Sequence, residues 1–145
     1  MTKVKEGISP DGKLMHYGVG AVIEREGRYF LIDRAVEPFG YGCVSGHINK
    51  GETPEEALIR EVKEEAGLEV TDYELIFERE INNRRCSAGK VSHYCYIFKC
   101  KVRGEININP AEVKSAGWNT RKEIREKKSK LEPVWKFFFK KTRVI

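Results

Sequence analysis

The sequence predicts an α/β protein, a β-sheet carried with a few short helices, and three observations predict it. Residues 16–35, HYGVGAVIEREGRYFLIDRA, read as two β-rich runs joined by a tight turn. Residues 53–67, TPEEALIREVKEEAG, carry helix start and stop signals around an apolar stripe of helical spacing. Residues 91–102, VSHYCYIFKCKV, form the strongest strand pattern in the chain. At 145 residues with no internal repeat or low-complexity linker, a single domain spanning residues 1–145 is expected.

The elements follow in order. Residues 1–14 contain Gly7, Pro10 and Gly12 and read as a loose lead-in. MHYGVGAVIE is a strand, EGR (26–28) a turn, and YFLIDRA its hairpin partner. EPFGYG reads as a loop with aromatics at Phe39 and Tyr41, and CVSG as a short strand. Thr53 is the expected N-cap of the next helix, with Pro54 at its first position and Glu56 closing a capping box. Leu58, Val62 and Ala66 give its apolar stripe, and Gly67 its stop. Residues 68–81 read as extended, NNRRCSAGK (82–90) as a polar loop, and 91–102 as the next strand. RGEININPAEVKS reads as a second loop before a short strand at Ala116–Trp118. TRKEIREKK is a short amphipathic helix, and EPVWKFFFKK a last helix offering Trp135, Phe138 and Phe139 to the core.

Composition excludes several classes. No apolar run approaches the ~18 residues needed to span a bilayer, and the first residues carry no apolar secretion signal, so a cytoplasmic protein without membrane association is expected. The four cysteines, Cys43, Cys86, Cys95 and Cys100, form no C-x-x-C pair. His93 and Cys95 share one face of a strand while Cys100 takes the other, so no zinc pattern emerges; reduced, buried thiols are the reading. The net charge of +5 gathers at Lys127, Lys128, Lys130, Lys136, Lys140, Lys141 and Arg143. That balance is compatible with a phosphate-rich ligand or with nucleic acid, but a solvated C-terminal helix face is the preferred reading.

The chemistry-bearing feature is the crowding of Glu61, Glu64 and Glu65 at i, i+3 and i+4 of one helix. We expect all three on one face, opposite the Leu58–Val62 stripe. Like charges so placed repel, which a hard divalent cation with oxygen ligands, Mg²⁺ or Mn²⁺, would relieve. A solvated acidic face is the plainer reading of three glutamates alone.

The wider spacing supplies more. Gly46, then Glu52, then Arg60-Glu61-Val62-Lys63-Glu64-Glu65-Ala66-Gly67-Leu68 match every specified position of G-x5-E-x7-R-E-U-x-E-E-x-G-U, with U bulky and aliphatic. The chain thereby resembles the Nudix hydrolases, in particular the small MutT-like members. The resemblance implies a Nudix α/β/α sandwich around a mixed β-sheet. It implies metal-binding or base-supplying roles for Glu61, Glu64 and Glu65, and a metal-directed backbone carbonyl at Gly46. Arg60 matches the arginine that orients the neighbouring glutamate, and Glu52 its salt-bridge partner. Glu112 lies in a loop where many members place a further metal or base glutamate. Arg34 ends its strand where the family often places a phosphate-contacting arginine, with a surface charge as the alternative. Tyr17, Phe39, Tyr41 and Trp135 are candidate nucleobase neighbours, or packing residues; of these we take Tyr41, with Arg34, as substrate-binding.

The activity so implied is Mg²⁺-dependent hydrolysis of a diphosphate bond in a nucleoside diphosphate linked to some group X, with a nucleoside triphosphate or related nucleotide as substrate. Arg84 stands where ADP-ribose hydrolases of the family carry proline, and the NADH-type and coenzyme A-type motifs are absent. Two other readings stay open. SGHINKGE also resembles the isopentenyl diphosphate isomerases, with His47 at their metal-binding histidine, although Ser45 stands where they need a catalytic cysteine and Cys43 is displaced by two residues. A non-hydrolytic nucleotide- or RNA-binding module is the other, with RNA unsupported by any recognition motif. Monomer and homodimer both remain open.

Overall fold

The computed structural model describes residues 3–145 apart from residues 87–88, and side chains outside residues 82–90. In chain order the elements are β1 (Glu6–Ile8), β2 (Leu14–Arg25), β3 (Arg28–Arg34), β4 (Tyr41–Gly42), β5 (Val44–His47), α1 (Pro54–Ala66), β6 (Glu69–Cys86), β7 (Gly89–Arg103), β8 (Val113–Asn119), α2 (Arg121–Glu126) and α3 (Pro133–Lys141). A single 3₁₀ turn, Lys128–Lys130, precedes α3.

The hairpin turn between β2 and β3 closes at Glu26 and Gly27, both at positive φ, the two-residue geometry whose twist matches the flanking strands. β2 is the organising strand. It pairs antiparallel with β1, β3 and β5 and parallel with β7, from Met15↔Ser92 to Ile23↔Cys100. β6 pairs antiparallel with β7, and β8 with β3, so the sheet is mixed, as the resemblance implied.

Side-chain alternation then splits the core into two layers. Val19, Ala21 and Ile23 of β2, with Phe30 and Ile32 of β3, pack against Leu58, Val62 and Ala66 of α1. Val22, Tyr29 and Leu31 point the other way, onto Ile124 of α2 and Trp135, Phe138 and Phe139 of α3. The result is an α/β/α sandwich. Trp135 is 1% exposed and lies over Gly20 and Gly42, where any Cβ would collide with the indole.

The α1 boundaries follow the sequence signals. The Thr53 side chain accepts from the Glu56 N–H, the Glu56 carboxylate accepts from the Thr53 N–H, and Gly67 closes the helix at φ 74°. α2 uses the same device, with Thr120 and Glu123.

Three expectations need correction. The lead-in is not loose: β1 pairs with β2, and the Lys5 N–H donates to the Ile48 carbonyl. Of the polar segment 82–90, residues 82–86 and 89–90 are strand, because β6 and β7 stay paired through Arg84↔Val91 and Cys86↔Gly89; residues 87–88 lie outside the described residues. The last strand begins three residues earlier than expected, at Val113, since β3 offers a partner edge from Tyr29 to Arg34, with a register shift between Asp33 and Arg34. Cys43, Cys95 and Cys100 are buried, with Cys43 and Cys100 as free thiols, and Cys86 falls outside the described side chains. Among the described residues no helix is long and apolar enough to cross a membrane.

Candidate active site

α1 turns its Glu61 and Glu65 inward. Glu61 is 9% exposed and Glu65 2%, on the same side as Ala57, Leu58, Val62 and Ala66. This corrects the expectation that the three glutamates face away from the apolar stripe. At 100° per residue, positions 61 and 65 flank the 58–62–66 line rather than oppose it, and only Glu64 reaches half-exposed surface. The crowding is therefore a buried carboxylate pair with one exposed neighbour.

Arg60 holds the cluster together. Its Nε and Nη2 donate to Glu52 Oε2 and Oε1 at 2.7 and 2.9 Å, a two-point contact. Its Nη1 donates to Glu61 Oε1 at 2.7 Å and to Glu64 Oε2 at 3.3 Å, and Nη2 also reaches the His47 carbonyl at 2.9 Å. Glu52 accepts the Asn49 N–H as well, at 2.8 Å. The guanidinium beside it holds the Glu52 carboxyl below the usual carboxylate range. One arginine thus ties the β5–α1 loop to α1 and fixes the rotamer of Glu61.

Burial pushes the Glu61 carboxyl up to about 7, against the opposing pull of Arg60. Glu65 is also pushed up, by burial first and then by the charge of Glu61, while Arg34 and the Ser45 N–H act in the other direction. That N–H donates to Glu65 Oε2 at 3.2 Å. The far end of α1 is tied down too: the Asn107 and Asn109 N–H groups donate to the Ala66 and Glu65 carbonyls.

Gly46 of β5 faces this pair directly, since a Cβ there would run into the Glu61 carboxylate. Two buried carboxylates and a half-exposed third, all hard oxygen donors short of positive charge, fit a hard divalent cation. Glu61, Glu64, Glu65 and the Gly46 carbonyl are the residues that would hold it.

Glu61 and Glu65 open into a cavity of about 370 Å³, whose lining does not include Glu64. Arg34 lines it from the end of β3 and Glu112 from the loop before β8; Glu112 is exposed and adds repulsion to both buried glutamates. Buried Arg34 Nε and Trp135 Nε1 have no hydrogen-bond partner among the described residues. Both residues line the cavity. Of the sequence-predicted residues, Gly46, Glu61, Glu65, Arg34 and Glu112 converge on it. Tyr41 does not: in β4 it pairs with Asp33 of β3, its carbonyl accepts from the Glu132 N–H, and Lys127 sits over its ring at 4.6 Å. Tyr17 and Phe39 do not line it either; the rings that do are Trp135 and Phe138, together with His47 and His93. Phe138 and His93 lie far from the glutamates in sequence, and only their strand or helix periodicity hinted that they face inward.

This sheet, helix and carboxylate cluster define a Nudix domain, and the chain belongs to that family: the NUDIX domain model matches residues 14–139. Among curated relatives, the chloroplastic Nudix hydrolase 19 of Arabidopsis thaliana is 31% identical over 111 residues, covering 72% of this chain and 24% of that protein. The isopentenyl-diphosphate Delta-isomerase of Salmonella heidelberg is 32% identical over 95 residues, covering 65% of this chain and 51% of that enzyme. The chain therefore spans about a quarter to a half of the length of these relatives. Among solved structures, a NUDIX hydrolase from Nitrosomonas europaea superposes with a TM-score of 0.72 over 86% of this chain and 85% of that one, at 22% identity.

Proposed function

We propose that this protein is a Mg²⁺-dependent pyrophosphohydrolase. It cleaves the diphosphate bond of a nucleoside diphosphate linked to X, with nucleoside triphosphates and related nucleotides as the substrate class. The observation that carries this reading is the buried pair Glu61 and Glu65 facing Arg34 across one cavity. When bound at those carboxylates, Mg²⁺ supplies charge neutralisation for the phosphoryl oxygens and acidifies a coordinated water.

The chain's own residues do the rest. Arg60 keeps Glu61 directed at Gly46, and Ser45 keeps Glu65 in register with the β5 backbone. Arg34 and Trp135 offer buried N–H groups to an anionic ligand, which arrives as the missing acceptor. Glu112, at the exposed rim, takes the proton from the attacking water. The new P–O bond forms as the bridging P–O bond breaks in line, and two phosphorylated products leave.

The test is a product-release screen with Mg²⁺ over nucleoside triphosphates, oxidised nucleotides, nucleotide sugars, ADP-ribose and dinucleoside polyphosphates, with Glu65→Gln as control. One substrate turned over far above the others and lost in the variant supports the reading. No turnover of any of them overturns it.

The similarity to an isomerase gives a second reading. Against it, the position before Gly46-His47 is Ser45, whose backbone is engaged by Glu65. Cys43 is fully buried, and burial holds its thiol well above the usual range. Among the described residues Cys95 is the thiol that lines the cavity, from β7 rather than β5. Isomerised diphosphate formed without phosphate release would favour this second reading.

A further inference from the structure

The chain has three histidines, and all three meet at one point. His16 lies in β2, His93 opposite it in the parallel partner β7, and His47 at the end of β5, on the antiparallel side of β2. One nitrogen from each ring lies within 4.8 Å of the other two. His16 and His93 are 4% exposed, and His47 is half-buried. His47 and His93 line the same cavity as Glu61 and Glu65.

We propose that His16, His47 and His93 form a second metal site, separate from the box carboxylates, that takes a divalent transition cation of borderline softness such as Zn²⁺.

Donor chemistry points that way. Three neutral imidazoles suit zinc, cobalt or nickel and are poor ligands for Mg²⁺, which the oxygen-only cluster suits instead. Geometry agrees. A tetrahedral ion with bonds of about 2.0–2.1 Å needs ligand nitrogens about 3.3 Å apart. His47 Nε2 and His93 Nε2 already stand at 3.3 Å, with the rings stacked 21° from parallel. His16 approaches both edge-on, with ring centroids at 5.2 and 5.8 Å, and its nitrogen needs to close from within 4.8 Å to about 3.3 Å.

The surroundings also resemble a ligand support. His93 Nδ1 faces the Val91 carbonyl at 3.2 Å, so a proton on Nδ1 would donate there and direct Nε2 towards the ion. Glu6 of β1 reaches His16 Nε2 at 3.3 Å, so His16 offers Nδ1 to the ion while the carboxylate orients its ring, or yields Nε2 by turning from Glu6. With three protein ligands, a fourth position would remain for a water or a phosphoryl oxygen. The site is a property of the fold and does not depend on the hydrolytic reading.

The decisive experiment titrates tag-free, chelator-stripped protein with Zn²⁺ and with Co²⁺ in excess Mg²⁺, following heat and the visible absorption of cobalt. We expect one ion per chain, bound at least about tenfold more weakly in each of His16→Gln, His47→Gln and His93→Gln. Affinity should be unchanged in Glu64→Gln. Because two of these histidines are buried, the imidazole ¹⁵N signals of the unmodified protein supply an independent readout: all three should shift on adding Zn²⁺. Binding that survives the histidine substitutions, binding lost in Glu64→Gln, or signals that stay in place under excess Zn²⁺ would each overturn the site. In that event the trio is a hydrogen-bonded imidazole cluster.

Discussion

Gly46 and Glu61 are packed so closely that no side chain fits between them. The Glu61 carboxylate occupies the space that a Cβ on residue 46 would need, and Arg60 holds it there from the other side. Gly46→Ala is therefore expected to displace the Glu61 carboxylate while leaving the core intact. Misplacement of a catalytic group by about 1 Å costs roughly a hundredfold in rate. The check is kcat on the best substrate of the screen beside a thermal melt. A variant as active as the parent would remove Glu61 from the site.

Glu65→Gln should abolish turnover without unfolding the chain. The amide is isosteric, stays buried beside Ser45, and no longer competes for charge with Glu61. Its melting temperature in chelator is expected to match or exceed the parent's, because an unfavourable buried carboxylate has been removed. Activity loss accompanied by a large drop in melting temperature would instead mark Glu65 as structural.

Stability without divalent ions should fall as pH rises. Burial lifts the Glu61 carboxyl from 4.5 to about 7, and lifts Glu65 as well. The folded chain then holds protons that the unfolded chain has released, and stability decreases between those values. Below about 4.5 this contribution is fully present. Mg²⁺ binds the ionised pair, so its stabilising effect should be large near pH 8 and small near pH 5, as mass action requires. Calorimetric melts with EDTA or Mg²⁺ across that range decide it. A chelated protein that gains stability over the same range would show the pair ionised when folded.

Arg60→Lys tests the fork. An ammonium group cannot reproduce the two-point contact with Glu52 together with the bonds to Glu61 and the His47 carbonyl. A loss of about 2 kcal/mol in folding free energy is expected, with a fall in kcat, from the bonds left unmade. Urea unfolding and steady-state kinetics measure the two; a neutral substitution would show that Glu61 is positioned by packing alone.

Gly20→Ala probes the opposite layer. The added methyl would meet the Trp135 ring at 2.7 Å and Ile97 Cδ1 at 2.9 Å. Overpacking of this kind costs about 1–3 kcal/mol, measured by urea unfolding. Because Trp135 also lines the cavity, substrate KM should rise with it. An unchanged midpoint and KM would show that the indole is free to move.

Much of this was legible in the sequence because the signals are local. A capping box, a stop glycine and a 3.6-residue stripe fix α1 at Pro54–Ala66 from adjacent residues alone. The spacing of Gly46, Glu52, Arg60, Glu61, Glu64 and Glu65 pointed to the carboxylate cluster for the same reason. The side on which the glutamates lie was misread because the apolar stripe was treated as a line, whereas the sandwich buries a broader arc of the helix that includes positions 61 and 65.

By itself, then, the sequence determined the helix, the order of the main strands, the cluster of acidic side chains and the arginine that serves it. Only the tertiary structure decided what meets across the sheet. It placed Arg34 and Glu112 at one cavity, excluded Tyr41 from it, and set His16, His47 and His93 side by side. The physical reason is register. His16 and His93 stand 77 positions apart in the chain and become neighbours through the parallel pairing of β2 with β7, which no short-range pattern encodes.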